Sequence, residues 1–113
     1  MAVTYNTVRE LALRFPNVKE GLAYGTPSLH VGRKLMTRLQ EDGQTLVSKI
    51  EPSKREAYFE LAPDTFFLTD HYKGGPLILV DLTTVRLEVL TELIEKAWRF
   101  VASVKQIEAY DLS

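Results

Sequence analysis

The spacing of apolar residues at the amino end predicts an amphipathic helix from about Tyr5 to Arg14. Apolar side chains recur there every three or four positions, while charged residues occupy the positions between them. Thr4 is a suitable N-cap, because its hydroxyl can accept a hydrogen bond from the first turn. Pro16 disfavours helical geometry at the residue before it and therefore ends the helix.

The carboxyl half contains a longer apolar stripe, which predicts a helix from about Val85 to Ala102. The stripe is wide enough to face a hydrophobic core, and Trp98 is expected to lie in that core. Thr83 or Thr84 is the expected N-cap. The segment from Lys105 to Ser113 is predicted to be either a frayed helix or a tail that binds a partner.

Between these helices the pattern changes to short apolar or alternating runs separated by turn residues, which is typical of an antiparallel meander. Gly32-Arg33 and the segment from Glu41 to Gln44 are hairpin turn signals. In one strand, we expect Met36 and Arg38 on the face opposite to Leu35, Thr37 and Leu39. The predicted strands are Val18–Tyr24, Ser28–Val31, Lys34–Gln40, Thr45–Ile50, Phe66–Leu68 and Leu77–Leu82, with a short helix at Pro52–Ala62 after the fourth.

This order of elements predicts the α+β class, with a twisted antiparallel sheet and helices packed on one face. The chain has 113 residues, so we expect a single domain over residues 1–113. No apolar run approaches the roughly 20 residues that span a bilayer, and the amino end lacks the pattern of a signal peptide. We therefore expect a cytoplasmic protein with no membrane partner, and a monomer.

Composition restricts the chemistry that the chain can perform. It has no cysteine, which excludes disulfides, a cysteine nucleophile and cysteine-bound metals. Two histidines without a suitable arrangement of carboxylates do not predict a metal site, and no cofactor motif is present. No catalytic residue is assigned, so a binding module is expected rather than an enzyme.

The segment Asp64–Pro76 is the first candidate for a functional site. It places His71, Tyr72 and Lys73 immediately before a Gly-Gly-Pro turn. Histidine can transfer protons near neutral pH, and tyrosine can donate a hydrogen bond or stack on a ring. The alternative is structural: Tyr72 folds back on the sheet, and His71 bonds a backbone group.

Basic residues on the meander are the second candidate. Six basic and three acidic residues lie between Val31 and Arg55, although the formal charge of the whole chain is −1. If these side chains converge, they can grip phosphates, and an exposed tyrosine can stack on an unpaired base. Solvation of exposed strands explains the same residues without a ligand. The candidate phosphate contacts are Arg33, Lys34, Arg38, Lys49 and Lys73.

Several short segments occur together in a recognisable order and spacing: Phe15-Pro-Asn-Val-Lys-Glu-Gly21, Tyr24-Gly-Thr-Pro27, Lys34-Leu-Met-Thr-Arg-Leu39, Asp64-Thr-Phe-Phe-Leu-Thr69 with His71-Tyr72, and Ala97-Trp-Arg99. In this series the chain resembles the MmcQ/YjbR family of small bacterial proteins.

The resemblance implies a fold like that of the frataxin/CyaY group. It also implies DNA binding through two hairpin wings, here at Arg33-Lys34 and at Lys73. The family's occurrence in an antibiotic gene cluster implies an alternative, a small-molecule binding or drug-resistance protein. Its pocket would be lined by Tyr24, His71 and Tyr72 and would measure roughly 300 Å³ or more. Iron binding, as in frataxins, is not expected, because glutamates 88, 92 and 95 lack the density of an acidic ridge.

Overall fold

The computed structural model describes residues 3–113, which form a six-stranded antiparallel sheet and four α-helices. The helices are α1 (Tyr5–Ala12), α2 (Arg55–Leu61, preceded by a 3-10 turn at Pro52–Lys54), α3 (Leu87–Val101) and α4 (Val104–Leu112). The strands are β1 (Val18–Ala23), β2 (Thr26–Val31), β3 (Lys34–Leu39), β4 (Thr45–Lys49), β5 (Phe66–Phe67) and β6 (Leu77–Asp81). None of the helices in this range is both long and apolar enough to cross a bilayer.

The strands lie in the order β1-β2-β3-β4-β6-β5, with every neighbouring pair antiparallel. The first four form the predicted meander, and β6 returns beside β4 after the crossing through α2 and β5. Both predicted hairpin turns are confirmed. Val31 pairs with Lys34 around a glycine at φ 61°, and Gln40 donates its N–H to the Thr45 carbonyl at 2.8 Å.

One hydrophobic core lies between the sheet and the helices. Side chains of α1 and α3 pack against one face of the strands, and Trp98 at the centre of this layer is fully buried. Its indole N–H donates to the Pro16 carbonyl at 3.0 Å, and its ring stacks on Phe15 at 5.4 Å between centroids. The α+β prediction, with helices on one face of the sheet, is confirmed.

The predicted start of the last helix is wrong. The helix begins at Leu87 with Arg86 as N-cap, not at Val85 after a threonine cap. The Asp81 carboxylate accepts from the Thr83 backbone N–H at 2.9 Å and from its hydroxyl at 2.6 Å, which holds this segment in a turn. Residues 104–112 form α4, so the carboxyl-terminal segment is a helix that begins with a serine cap.

A bulge in β3 makes the predicted alternation of that strand wrong. Leu29 pairs with Thr37 and His30 pairs with Leu35, which leaves Met36 without a partner. The extra residue shifts the pleat, so Met36 faces the helices and is fully buried in the core. Leu35 and Arg38 consequently share the other face of the sheet.

Candidate functional site

A pocket of about 430 Å³ lies on the face of the sheet that the helices leave open. Its floor comes from the central strands, and its wall comes from the loop between β5 and β6. The lining residues are Tyr24, Leu35, Arg38, Glu41, Val47, Lys49, His71, Tyr72 and Leu77. Five of the eight residues singled out from the sequence therefore meet in one concavity.

Arg38 lies at the centre of this site. Register places it opposite Ser28 on one side and Val47 on the other. Its Nη2 donates to the Tyr72 hydroxyl at 2.7 Å, while Nη1 donates to the Leu39 carbonyl at 3.3 Å and to the Thr26 hydroxyl at 3.4 Å. A guanidinium has five N–H groups. Three of them are therefore used within residues 3–113, and two have no acceptor there.

The charge of Arg38 is buried without a hydrogen-bonded counterion in the described chain. Its side chain is only 8% exposed, and the nearest carboxylate oxygen is that of Glu41 at 3.7 Å. Glu41 is 72% exposed, so water screens its charge. Buried charges in proteins are normally paired, because removing an ion from water costs several kcal/mol. The pocket therefore contains a buried cation that an anion can neutralise.

Tyr24 forms the rim of the pocket above Arg38. It occupies, with Gly25, the two-residue turn between β1 and β2, since Ala23 pairs with Thr26. The sequence interpretation placed this turn at Gly25–Pro27, whereas Thr26 and Pro27 already belong to β2. The Tyr24 ring is 83% exposed and lies 5.0 Å from the guanidinium carbon of Arg38.

The loop from residue 69 to residue 76 carries His71 and Tyr72 over the sheet. The two rings meet edge to face at 4.7 Å between centroids. Arg55 of α2 fixes the loop from the other side, because its Nη1 donates to the carbonyls of Gly75 and Leu77 at 2.9 and 3.1 Å. Because its hydroxyl accepts a hydrogen bond from Arg38, Tyr72 folds back on the sheet. The hydroxyl proton of Tyr72 has no acceptor within the described residues.

Lys49 supplies the second cation of the pocket. It ends β4 opposite Leu77 of β6, on the same face as Val47. Lys34 begins β3 at this end of the sheet and, like Arg33 in the preceding turn, is exposed. Lys73 is also exposed in the loop before β6. These three residues do not line the pocket, so the predicted phosphate contacts divide into a pocket pair and an outer group.

The sequence analysis missed two residues of the site. Glu41 was interpreted only as part of a hairpin turn, and Arg55 was counted only among the basic residues between Val31 and Arg55. The role of Arg55 depends on contacts 20 and 22 residues away, which no local pattern reveals. His30 lies outside the pocket lining: its Nε2 is 2.7 Å from the Ser28 hydroxyl, and its ring covers Gly21, where an added Cβ would lie 3.2 Å away.

A second concavity, of about 410 Å³, lies on the helix side of the molecule. It is lined by three cations, Lys54, Lys96 and Arg99. Lys96 and Arg99 are hydrogen-bonded to the carboxylates of Glu92 and Glu95, and Arg99 also pairs with Asp111 of α4 at 2.7 Å. Lys54 is half exposed and lies 3.9 Å from Glu51. Because Lys96 and Arg99 already bind carboxylates, they are less available to an anion than Arg38 is.

The acidic residues of α3 also have partners. Hydrogen bonding from Lys96 lowers the pKa of the Glu92 carboxyl, and Glu95 binds Arg99 at 2.9 Å. Within residues 3–113, no three histidine or carboxylate side chains lie close enough together to hold a metal ion.

Known proteins resemble this chain in both sequence and fold. The Mycobacterium tuberculosis (strain H37Rv) protein Rv2570 and the Mycobacterium bovis protein Mb2600, both named as uncharacterized, are 35% identical to it over 48 residues. The match covers 42% of this chain and 37% of those proteins, so it spans little more than a third of their length.

The crystal structure of the Deinococcus radiodurans protein DR2400, which has a DUF419 domain, superposes with a TM-score of 0.76. The superposition covers 92% of this chain and 82% of that one at 20% identity, a likeness of fold alone. The YjbR family matches residues 13–100 of the sequence. That span includes every strand of the sheet and nearly all of α3, and the chain therefore belongs to the YjbR family.

Proposed function

We propose that this protein is a non-enzymatic binding module that holds a small organic anion in the pocket on the open face of the sheet. The observation that carries the proposal is the buried guanidinium of Arg38, which has no hydrogen-bonded carboxylate within the described residues and lies 3.7 Å from the exposed carboxylate of Glu41. An anion at this position would gain charge-assisted hydrogen bonds from a guanidinium that is itself buried.

Three groups of the pocket are available to bind the anion. Arg38 has two N–H groups left, the Tyr72 hydroxyl has its proton left within the described chain, and Lys49 lines the same pocket. The rest of the lining consists of the aliphatic side chains of Leu35, Val47 and Leu77, the rings of Tyr24 and His71, and the carboxylate of Glu41. A concavity of this size that combines apolar side chains with a few polar groups is typical of small-molecule sites.

The test is a titration of the ¹⁵N-labelled protein, followed by the backbone amide signals in NMR spectra. Benzoate and cyclohexanecarboxylate are the anionic probes, and benzylamine is a control of similar size and opposite charge. We expect saturable shifts from both anions at the amides of the lining residues and none from benzylamine. Equal responses to the anions and to benzylamine, or no saturable response, would rule out the proposal.

Nucleic-acid binding is the second candidate function, and the sheet topology supports it. Arg33 and Lys34 lie in one hairpin, Lys49 ends the strand beside it, and Lys73 lies in the loop before β6. These four cations thus belong to elements at one end of the sheet. Four neutralised phosphates on a single strand give a slope of log K against log salt of about −3.

Fluorescence anisotropy of a labelled oligothymidine at several salt concentrations separates the two functions. Binding by the wings requires the steep slope and a large loss in a Lys34→Ala/Lys73→Ala double variant. A Lys105→Ala variant, which removes an exposed charge from α4, is the control. Binding that is absent at low salt, or unchanged in the double variant, argues against nucleic acid and leaves the anion proposal intact.

A further inference from the structure

We infer that the anion is an aryl carboxylate, with its ring packed against Tyr24 and its carboxylate on Arg38. This inference rests on the proposed function and adds the chemical class of the ligand. It comes from the conformation of Tyr24, from the geometry between Tyr24 and Arg38, and from the balance of charges that line the pocket.

Tyr24 has a backbone conformation that is unfavourable for a residue with a bulky side chain. Both central residues of this two-residue hairpin have positive φ, 55° at Tyr24 and 79° at Gly25. Turns of this kind strongly favour Asn-Gly, because asparagine tolerates the left-handed region and a bulky aromatic residue does not. Residues held in such conformations cluster at ligand-binding sites. An exposed tyrosine here contributes little burial that would offset the strain.

The ring is nevertheless held in a defined place. The guanidinium carbon of Arg38 lies 5.0 Å from the ring centroid, which is the distance of a cation–π contact. The guanidinium therefore covers one face of the ring, and the exposed edge of Tyr24 at the rim adjoins the buried cation. A flat ring that carries an anionic group can meet both groups at once, since aromatic pairs stack with offset or edge-to-face geometry.

The charges of the pocket favour a single negative charge on the ligand. Two cations, Arg38 and Lys49, and one carboxylate, Glu41, line the concavity, which gives a fixed charge of +1. Glu41 lies 3.7 Å from Arg38 and would repel a second negative charge there. A carboxylate matches this balance better than a phosphate dianion does. One ring with one carboxylate fits readily into about 430 Å³.

The experiment compares two carboxylates that differ in the ring. Benzoate and cyclohexanecarboxylate have the same charge and similar size, but only benzoate has a π face. Aromatic pairing beyond area burial corresponds to roughly 2- to 10-fold in affinity. We expect benzoate to bind the wild-type protein about 2- to 10-fold more tightly, with both dissociation constants measured by NMR titration.

Two variants at the turn test whether Tyr24 produces this preference. Tyr24→Asn should remove the preference for benzoate and, by relieving the strained turn, raise the thermal midpoint by about 3–6 °C. Tyr24→Phe keeps the ring and should retain the preference. Equal affinities for the two carboxylates in the wild type, or an undiminished preference in Tyr24→Asn, overturn the aryl assignment while the anion site stands. Failure of both carboxylates to bind overturns the anion site itself.

Discussion

Replacing Arg38 with methionine separates a ligand-binding role from a structural one. Methionine fills a similar volume with a flexible apolar side chain and removes the charge. The side chain of Arg38 is 8% exposed and makes three hydrogen bonds, all to uncharged oxygens. If Arg38 serves only the fold, its replacement should lower the free energy of unfolding substantially. If it serves a ligand, the free protein should tolerate the change.

The magnitude follows from two opposing terms. Three hydrogen bonds from a charged donor contribute about 4.5–9 kcal/mol together, and the lower end applies because two of them are long, at 3.3 and 3.4 Å. Removing the cation from water costs several kcal/mol, which is a similar amount. Their near cancellation predicts that Arg38→Met changes the free energy of unfolding by less than about 1 kcal/mol without ligand. The partners left behind adapt, since Tyr72 is partly exposed to water and the Thr26 hydroxyl donates to the Ala23 carbonyl at 2.8 Å.

Urea unfolding with and without benzoate measures both effects. At 20 times its dissociation constant, a ligand of the folded state stabilises the protein by about 1.8 kcal/mol. The wild type and the control Arg14→Met, which removes an exposed charge after α1, should show this gain, and Arg38→Met should not. A loss of about 3 kcal/mol or more without ligand, together with a retained gain from benzoate, would refute the reasoning and make Arg38 a structural support of the loop.

Three further predictions concern the fold around the site. Hydrogen bonds from the Thr45 hydroxyl and from neighbouring backbone N–H groups lower the pKa of Asp42. The stability that this carboxylate contributes is therefore present above its unfolded-state pKa of about 4 and is lost as the pH falls through its lower folded-state pKa. Asp42→Asn should lower stability at pH 7 and flatten the acid limb of a stability profile; an unchanged limb would contradict this role. Arg55→Met should lower stability by about 1–2 kcal/mol and accelerate hydrogen exchange in residues 69–76, because two charge-assisted bonds to loop carbonyls are lost; unaltered exchange would mean that the loop holds itself. Burial raises the pKa of Tyr5 to about 12, so stability should fall as the pH rises from 10 towards 12. The late tyrosine titration seen by absorbance at 295 nm should be smaller in Tyr5→Phe, where Tyr58, whose pKa burial also raises, still contributes.

The elements that could be predicted from the sequence are those whose signals are local. The period of α3, the turn at Gly32 and the proline after α1 act within a few residues, and each is found in the structure. The start of α3 was displaced because Asp81, rather than a threonine, holds the preceding turn. An aspartate at the end of a strand does not always form such a turn, and the residues beside it in the sequence do not show whether it will.

The site was only partly predictable, because its geometry depends on distant pairs. His71, Tyr72 and Tyr24 were recognised by residue type and by their place beside turns. Arg38 was expected to contact phosphates from an open surface, whereas a bulge created by the pairing of β2 with β3 places it beside Leu35 under the loop. Its contact with Tyr72 joins residues 34 positions apart, and only the folded sheet brings them together.

The most direct test of the anion site is the side-chain Nε–H signal of Arg38 in ¹H–¹⁵N spectra, assigned by its loss in Arg38→Met and followed during a benzoate titration. The account predicts a saturable shift of this signal with the same dissociation constant as the amides of the pocket. The corresponding signals of Arg14 and Arg55 should stay in place, because one lies away from the pocket and the other is bound to backbone carbonyls. A stationary Arg38 signal at saturating benzoate would contradict the claim that this buried cation binds an anion.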